Sequence, residues 1–230
     1  MKVIILCGGL GSRLAEETKL IPKPMVKIGK IPIIQHIINI YKKNGFHDFI
    51  LATGYKSEII KKYFKNKKNV SCIFTGKNTA TGGRLLRLKK YLKNEEDFML
   101  TYGDGVSNQN IKKLLRFHKK HKKIGTLTSV KPPARFGEVF LKGDRVRKFE
   151  EKSQLNSNWI NGGFFVFNFK IFDFIKGDKI MLEREPLGSL TKKKQLMAYK
   201  HSGFWQCMDT MRDKNILNKL WSEKKAPWIR

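Results

Sequence analysis

The chain has 230 residues, with 48 lysines and arginines against 19 aspartates and glutamates, and a formal net charge of +29 at pH 7. Its three cysteines, Cys7, Cys72 and Cys207, form no C-x-x-C pair, which argues against a disulfide framework and a cysteine zinc site. Without a charged-then-apolar leader or an apolar run of about 18 residues, the sequence predicts a cytoplasmic protein that has no membrane partner.

The lysine excess allows three interpretations. A basic chain can bind nucleic acid, its lysines can be solvated helix faces, or its field can steer small anions to a site. The lysines are scattered in pairs such as Lys61-Lys62 and Lys119-Lys120. No RNA-binding aromatic strand, zinc spacing or helix-turn-helix accompanies them, so we expect no nucleic-acid partner.

Apolar runs alternate with helical patterns through the first half of the chain. The predicted strands are 3–6, 48–53, 70–74, 97–102 and 126–130, and the predicted helices are 33–44, 57–64, 83–92 and 111–121. Such alternation indicates βαβ crossovers and a mostly parallel sheet flanked by helices.

The pattern changes after Pro132-Pro133. Segments 138–141 and 146–149, separated by Gly143-Asp144, predict an antiparallel hairpin; 164–167 predicts a further strand, and 186–193 and 212–221 predict helices. No linker or repeat divides the chain, so we expect one α/β domain over residues 1–230.

Three glycines follow the first predicted strand directly. Gly8, Gly9 and Gly11 lack Cβ atoms, so their backbone can approach a ligand closely and present N–H groups to a polyphosphate. Leu14 stands where the dinucleotide fingerprint needs a glycine, and Gly11-Ser12-Arg13 stands where the Walker pattern needs Gly-Lys-Ser/Thr. A tight turn after a strand is the alternative.

Two aspartates lie where a cation could be bound. Asp104 follows an apolar strand between two glycines, and Asp209 precedes a predicted helix. Together with a phosphate loop they would suit Mg²⁺-assisted phosphoryl chemistry. Taken singly, Asp104 could be a turn residue and Asp209 a helix N-cap.

Further polar residues flank the later strands. Glu151 and Lys152 end the hairpin, where they could equally be surface residues, and Asn161, Gly162 and Gly163 suit recognition of sugar hydroxyls. The histidines are interpreted as structural or surface residues; they are His36, His47, His118, His121 and His201.

These stretches together resemble the sugar-nucleotide pyrophosphorylases and, within them, the glucose-1-phosphate cytidylyltransferases, over nearly the whole chain. The motifs that carry the resemblance are "GGLGSRLAEET", "PKPMVKIG", "TGGRL", "TYGDGV", "RFGEV", "EEKS", "INGGFFVF", "EPLGSL" and "GFWQCMDTMRD" followed by "KAPW".

The resemblance implies a Rossmann-like fold and conversion of CTP and glucose 1-phosphate into CDP-glucose and pyrophosphate with Mg²⁺. Residues 1–130 would form a nucleotide-binding half and 131–230 a sugar-phosphate-binding half. Related use of UTP, dTTP or GTP, or of another sugar phosphate, is the nearest alternative. A homo-oligomer is compatible with the resemblance.

The resemblance also implies residue roles. Arg13, Lys23 and Asp104 would be catalytic, and Asp104 and Asp209 would hold the metal. The nucleotide would be bound by Leu6, Cys7, Gly8, Gly9, Leu10, Gly11, Ser12, Arg13, Lys23, Thr79, Thr81, Gly82 and Arg84. The sugar phosphate would be bound by Glu151, Lys152, Asn161, Gly162, Gly163 and Glu185.

The sequence departs from the family pattern at three places. Ser12 replaces a usual threonine, and Ser153 replaces a usual proline. A long excursion that the family carries between Tyr63 and "TGGRL" is reduced here to "FKNKKNVSCIFTGKNTA". This shortening affects the expected base preference and oligomeric state.

Overall fold

The computed structural model describes residues 1–133, 137–150 and 158–229. Its centre is a seven-stranded sheet with the strand order β12-β8-β11-β6-β1-β4-β5. The strands of this sheet are β1 (Lys2–Cys7), β4 (Asp48–Thr53), β5 (Val70–Phe74), β6 (Asp97–Tyr102), β8 (Gly125–Val130), β11 (Ile160–Asn168) and β12 (Leu196–His201).

In the described part of the chain, three two-stranded pairs lie outside this sheet. They are formed by β2 (Lys27–Ile28) with β3 (Ile31–Pro32), β7 (Gly105–Ser107) with β13 (Trp205–Cys207), and β9 (Glu138–Lys142) with β10 (Arg145–Glu150). The last pair is the predicted antiparallel hairpin.

Helices cover both faces of the sheet. They are α1 (Ala15–Thr18), α2 (Ile33–Lys43), α3 (Ser57–Phe64), α4 (Thr81–Arg87), α5 (Ile111–His121), α6 (Glu185–Lys192) and α7 (Met211–Ser222). Alternate residues of β1 enter two separate apolar clusters, Val3 and Ile5 on one face and Ile4 and Leu6 on the other. A strand that is buried on both faces reads as a continuous apolar run, as β1 does.

The sheet is mixed and mostly parallel, as predicted. β11 runs antiparallel to both of its neighbours, β6 and β8, whereas the other neighbouring pairs are parallel. The carboxyl ends of the parallel strands β1 and β6 therefore meet at one edge, where ligands of open α/β sheets bind.

Two predicted elements have bounds that differ from the structure by more than one residue. The helix expected at 83–92 is α4, which begins at Thr81 and ends at Arg87, followed by a short 3₁₀ turn. Its two glycines lie inside the helix. Close packing requires a glycine at position 83, because a Cβ there would stand 2.3 Å from the carbonyl oxygen of Asp178. The strand expected at 164–167 begins at Ile160, so Asn161 to Gly163 form an irregularity within β11 rather than a turn before it.

Within the residues that the structure describes, no helix is both long and apolar enough to cross a membrane.

Candidate active site

The glycine loop follows β1, and each of its glycines has a different reason to be there. Gly11 has a φ of +68°, in the left-handed region that glycine adopts without strain. A Cβ on Gly8 would lie 2.1 Å from the guanidinium carbon of Arg84. A Cβ on Gly9 would meet no protein atom within 4 Å. Packing thus requires Gly8 and Gly11 but leaves Gly9 facing open space.

Arg84 fixes the shape of this loop from below. Its side chain is buried and donates hydrogen bonds to the carbonyl oxygens of Gly8 at 2.8 Å and Gly76 at 2.7 Å, and to the Thr75 hydroxyl at 2.9 Å. Burial lowers the pKa of the Arg84 guanidinium from its usual value. Arg84 therefore joins α4 to the glycine loop and to the loop after β5.

A four-residue ion cluster lies beside the glycine loop. The Lys23 ammonium is 2.6 Å from an Asp104 oxygen and 2.5 Å from an Asp209 oxygen, and Arg13 is 2.7 Å from the other Asp209 oxygen. Burial alone lowers the pKa of Lys23, but its contacts with Asp104 and Asp209 outweigh burial and raise that pKa above the usual value. Lys23 is therefore a fixed positive charge.

Backbone pairing brings the two aspartates together across 105 positions of sequence. Asp104 lies two residues after the end of β6, and the adjacent β7 pairs antiparallel with β13, which places Cys207 opposite Gly105. The Met208 N–H then donates to the Asp104 carbonyl oxygen at 2.8 Å. Asp209 is the next residue, so its side chain reaches the same lysine.

Two adjoining cavities share Arg13, Tyr102 and Asp104 in their walls. The larger, of about 480 Å³, is bounded by the glycine loop and the start of α4. The smaller, of about 190 Å³, is bounded by the β11 irregularity, Trp205 and Asp209. Charged groups from the ion cluster thus face both cavities where they meet.

Most of the residues assigned to the site from sequence lie in these walls. The larger cavity is lined by Leu6, Cys7, Gly8, Gly9, Gly11, Ser12, Arg13, Lys23, Thr79, Thr81, Arg84 and Asp104. The smaller is lined by Arg13, Asp104, Asn161, Gly162, Gly163 and Asp209.

Three of the predicted residues that the structure describes are not brought to these walls. Leu10 is 60% exposed, and a Cβ on Gly82 would stand 2.8 Å from the Ile180 carbonyl oxygen, which gives Gly82 a packing role. Glu185 lines a different cleft, at the opposite edge of the sheet. Glu151 and Lys152 lie outside the described residues.

Comparison with known proteins identifies the family. The family model described as "Nucleotidyl transferase" matches residues 2–212. The glucose-1-phosphate cytidylyltransferase of Salmonella typhimurium is 46% identical over 253 aligned positions, which cover 99% of this chain and 98% of that protein. This chain belongs to the glucose-1-phosphate cytidylyltransferase branch of the nucleotidyl transferase family.

Similarity extends beyond this branch. Mannose-1-phosphate guanyltransferase beta-B of Xenopus laevis is 32% identical over 96% of this chain and 64% of its own length. The structure of HddC from Yersinia pseudotuberculosis has a TM-score of 0.76 at 23% identity, covering 96% of this chain and 99% of that one, which shows a shared fold.

The site of this nucleotidyltransferase includes residues that the sequence did not single out. Tyr102 lines both cavities, Trp205 lines the smaller one and Met181 lines the larger one. Tyr102 had a usable signal, because it ends a strand two residues before Asp104. Glu183 had none: it lies in a loop before α6 and reaches the hydroxyl of Tyr102 only through the fold.

Asp209 is not needed to cap a helix, and His36 has a structural role outside the site. Interpreting Asp209 as the N-cap of α7 is wrong, because Thr210 is the N-cap and forms a capping box with Asp213.

His36 is buried, and its interpretation as a structural residue is confirmed. Its Nδ1 accepts a hydrogen bond from the Trp228 indole N–H at 3.1 Å, and its Nε2 donates to the Ile28 carbonyl oxygen at 3.0 Å.

The cysteines near the cavities are protonated thiols. Burial is the main cause that raises the pKa of Cys7 and that raises the pKa of Cys207 to about 12, the latter with help from the charges of Asp209 and Asp104. Neither thiol therefore supplies a thiolate nucleophile at neutral pH.

Proposed function

We propose that this nucleotidyltransferase transfers the cytidylyl group of CTP to α-D-glucose 1-phosphate, giving CDP-glucose and pyrophosphate. The observation that carries the proposal is the ion cluster of Arg13, Lys23, Asp104 and Asp209 at the junction of two adjoining cavities. Two anionic substrates need such a junction, because they must be brought into contact despite their mutual repulsion. The choice of base and sugar follows the relative that is 46% identical.

The reaction needs no general base. A phosphate oxygen of the sugar phosphate, already ionised at neutral pH, attacks the α-phosphorus of CTP in line. The bond from that phosphorus to the β-phosphate oxygen breaks, and pyrophosphate carries the electron pair away. Lys23 neutralises the α-phosphate, and Arg13, which is largely exposed at the cavity mouth, holds the leaving pyrophosphate.

Asp104 and Asp209 suit a magnesium ion. Mg²⁺ prefers one or two carboxylates together with substrate phosphates and water, and these two carboxylates are already held on one ammonium group. In the described part of the chain no group of three or more His, Cys, Asp or Glu residues is arranged for a metal, so phosphate oxygens would complete the coordination. When bound, the ion would stabilise charge on the phosphates.

We propose that each cavity holds a different substrate. The larger cavity, with the glycine loop, Thr79 and Thr81, would hold CTP, and the smaller one, with Asn161 to Gly163, would hold the sugar phosphate. Lys152 and Glu151 are proposed to add a charge and a hydroxyl acceptor on the sugar side. The proposed halves are a nucleotide-binding half, 1–130, and a sugar-phosphate-binding half, 131–230. Each half also contributes a residue to the other half's cavity, because Met181 lines the larger cavity and Arg13 lines the smaller one.

A second candidate, transfer of another base, is favoured by the similarity to a mannose-1-phosphate guanyltransferase. Cytosine is distinguished from uracil by its 4-amino donor, so the pocket needs a carbonyl acceptor for it. The carbonyls of Gly8 and Gly11 already accept from Arg84 and Leu14, which leaves other carbonyls of the loop or of 79–82 for this role.

The test is pyrophosphate release with CTP, UTP, dTTP and GTP, each paired with glucose 1-phosphate and with other sugar 1-phosphates. We expect CTP to exceed UTP in kcat/KM by at least about tenfold, because a buried acceptor facing the 4-oxo group of uracil is mismatched. Equal efficiency with both would refute cytidylyl specificity, and efficient use of dTTP or GTP alone would make the second candidate the function.

A further inference from the structure

One carboxylate outside the predicted set, Glu183, is hydrogen-bonded to both sides of the site. Its Oε1 accepts from the Tyr102 hydroxyl at 2.6 Å, and its Oε2 accepts from the Thr81 hydroxyl at 2.6 Å. Thr81 begins α4 beside the larger cavity, and Tyr102 ends β6 between the two cavities.

These contacts determine which way each hydroxyl points. A carboxylate only accepts hydrogen bonds, so both hydroxyls must donate to Glu183. Thr81 also accepts from the Leu182 N–H at 2.9 Å, and Tyr102 accepts from the Asn161 amide at 3.2 Å. The protons of Thr81 and Tyr102 are thus directed to Glu183, and toward a ligand these oxygens act as acceptors.

On the sugar side the network continues into the β11 irregularity. Asn161 donates to Tyr102 through Nδ2, so its Oδ1 is left to accept from the Gly163 N–H, at 2.8 Å. Gly163 has a φ of +75°, and a Cβ there would stand 2.5 Å from the Tyr102 ring. The orientation of Tyr102 and the shape of the Asn161–Gly163 backbone therefore depend on each other.

On the nucleotide side the network continues through α4. Thr81 is the first residue of this helix, and Arg84, one turn later, holds the Gly8 carbonyl at 2.8 Å. A shift of the start of α4 would therefore be passed to the glycine loop.

We propose that Glu183 is a positioning residue that couples the nucleotide cavity to the sugar-phosphate cavity by fixing Thr81 and Tyr102 at once. This deepens the proposed function and rests on it. Glu183 contacts no reacting atom in this role; it makes the geometry of each substrate pocket depend on the other.

The experiment measures steady-state pyrophosphate release with CTP and glucose 1-phosphate for Glu183→Ala, Glu183→Gln and a matched control, Glu96→Gln. Glu96 lines the cleft at the opposite edge of the sheet and lines neither cavity of the site. We expect Glu183→Ala to lower kcat/KM by about 100-fold and to raise the KM of both substrates, because a small displacement of positioned groups is costly. Glu183→Gln retains the volume and one acceptor, and should recover to within about tenfold of wild type.

A cross-effect separates coupling from a local packing role. Thr81→Val removes only the hydrogen bond between Glu183 and the nucleotide side of the site, because Thr81 lines the larger cavity and not the smaller one. It should nevertheless raise the KM of glucose 1-phosphate about threefold or more, and this effect should disappear in the Glu183→Ala background, since contacts in one network are non-additive. If Glu183→Ala does not fold, Glu183→Gln is the background.

The proposal is overturned if Thr81→Val changes only the KM of CTP, if its effect is the same factor in both backgrounds, or if Glu183→Ala keeps kcat/KM within twofold. A failure of the proposed function is recognised separately, because wild type itself would then not release pyrophosphate from CTP and glucose 1-phosphate. The same variants are then measured with whichever triphosphate and sugar 1-phosphate wild type uses.

Discussion

At the scale of single residues, Lys23 holds Asp104 and Asp209 on one ammonium group, at 2.6 and 2.5 Å. The two carboxylates belong to different parts of the chain, and neither fills the apolar core. Replacing one of them by its amide removes a negative charge and keeps the shape, so catalysis is affected far more than folding.

We expect Asp104→Asn and Asp209→Asn each to lower kcat by on the order of 10²–10³, the range found when one preorganised electrostatic group is removed. Pyrophosphate release measures kcat, and thermal unfolding serves as the control, with a Tm change of only a few degrees. Unchanged pyrophosphate release in either variant would remove that residue from the mechanism.

Gly8 and Gly9 are neighbours with opposite expectations. Gly8→Ala places a Cβ 2.1 Å from the Arg84 guanidinium, whereas Gly9→Ala meets nothing in the protein within 4 Å. We expect Gly8→Ala to cost roughly 2 kcal/mol or more, because Arg84 loses buried hydrogen bonds, and to lower Tm by roughly 5 °C.

Gly9→Ala should leave Tm unchanged but raise the KM of CTP about tenfold, equivalent to about 1.4 kcal/mol, if the nucleotide approaches the backbone there. Parallel measurement of Tm and KM on both variants is the check. A KM of CTP unaltered by Gly9→Ala would show that the nucleotide does not approach this glycine.

At the scale of elements, the sequence predicts the bounds of helices and strands correctly where the apolar periodicity is strong. The bounds of β4, β5, β6, α3 and α5 agree with prediction residue for residue, because each of these elements has a clear apolar pattern between turn residues. β12 was not predicted: it is an edge strand, partly exposed along its length, and its sequence LMAYKH has no clean alternation.

Elements whose bounds depend on distant contacts could not be predicted. The α4 glycines looked like a helix boundary, yet they allow the helix to pack on the backbone of 178–180. The same limit applies to the site: the two aspartates and the glycine loop carry local signals, whereas Glu183 acquires its partners only when the loop before α6 folds onto β6 and α4.

Helix α5 is joined to the sheet by a histidine relay, defined as His118, His121, Thr126 and Asp97. The Lys123 N–H donates to His121 Nδ1 at 2.9 Å, so His121 Nε2 donates to the Thr126 hydroxyl at 2.7 Å and that hydroxyl donates to His118 Nδ1 at 2.8 Å. His118 Nε2 then faces Asp97 at 3.4 Å. Both rings are therefore neutral in this arrangement.

Burial is the main cause that lowers the pKa of His118 and of His121 below the usual 6.5. The unfolded chain consequently binds protons first as the pH falls, so the relay's contribution to stability is complete above about pH 6.5 and is lost as the pH falls through the lowered pKa values. We expect Tm to be lower at pH 5 than at pH 7.5, and His118→Gln to reduce that difference. Substitution of the exposed His47 by Gln is the control; an equal reduction there would contradict the account.

At the scale of the whole molecule, the net charge of +29 is not concentrated at the active site. Six lysines line the wide cleft at the opposite edge of the sheet, together with four carboxylates, and this agrees with solvated lysines spread over the surface. The overall field still attracts anions, and both proposed substrates are anions. A homo-oligomer stays a prediction.

Raising the salt concentration should therefore lower kcat/KM several-fold while changing kcat little, because screening slows the capture of anionic substrates more than it affects substrates that are already bound. Initial rates at low and at saturating substrate, in about 0.05 and 0.5 M salt, give both quantities.

DNA or RNA should bind loosely and without sequence preference. Tight, sequence-dependent binding at physiological salt would contradict our expectation that the protein has no nucleic-acid partner.

The most direct test of the central claim is product analysis of a reaction containing the protein, Mg²⁺, CTP and α-D-glucose 1-phosphate. Mass spectrometry of the nucleotide products, with pyrophosphate quantified in the same sample, measures both sides of the proposed transfer. The account predicts CDP-glucose and pyrophosphate in equal amounts, and neither product when either substrate is omitted. Pyrophosphate released from CTP alone at the same rate, or no CDP-glucose when both substrates are present, would contradict it.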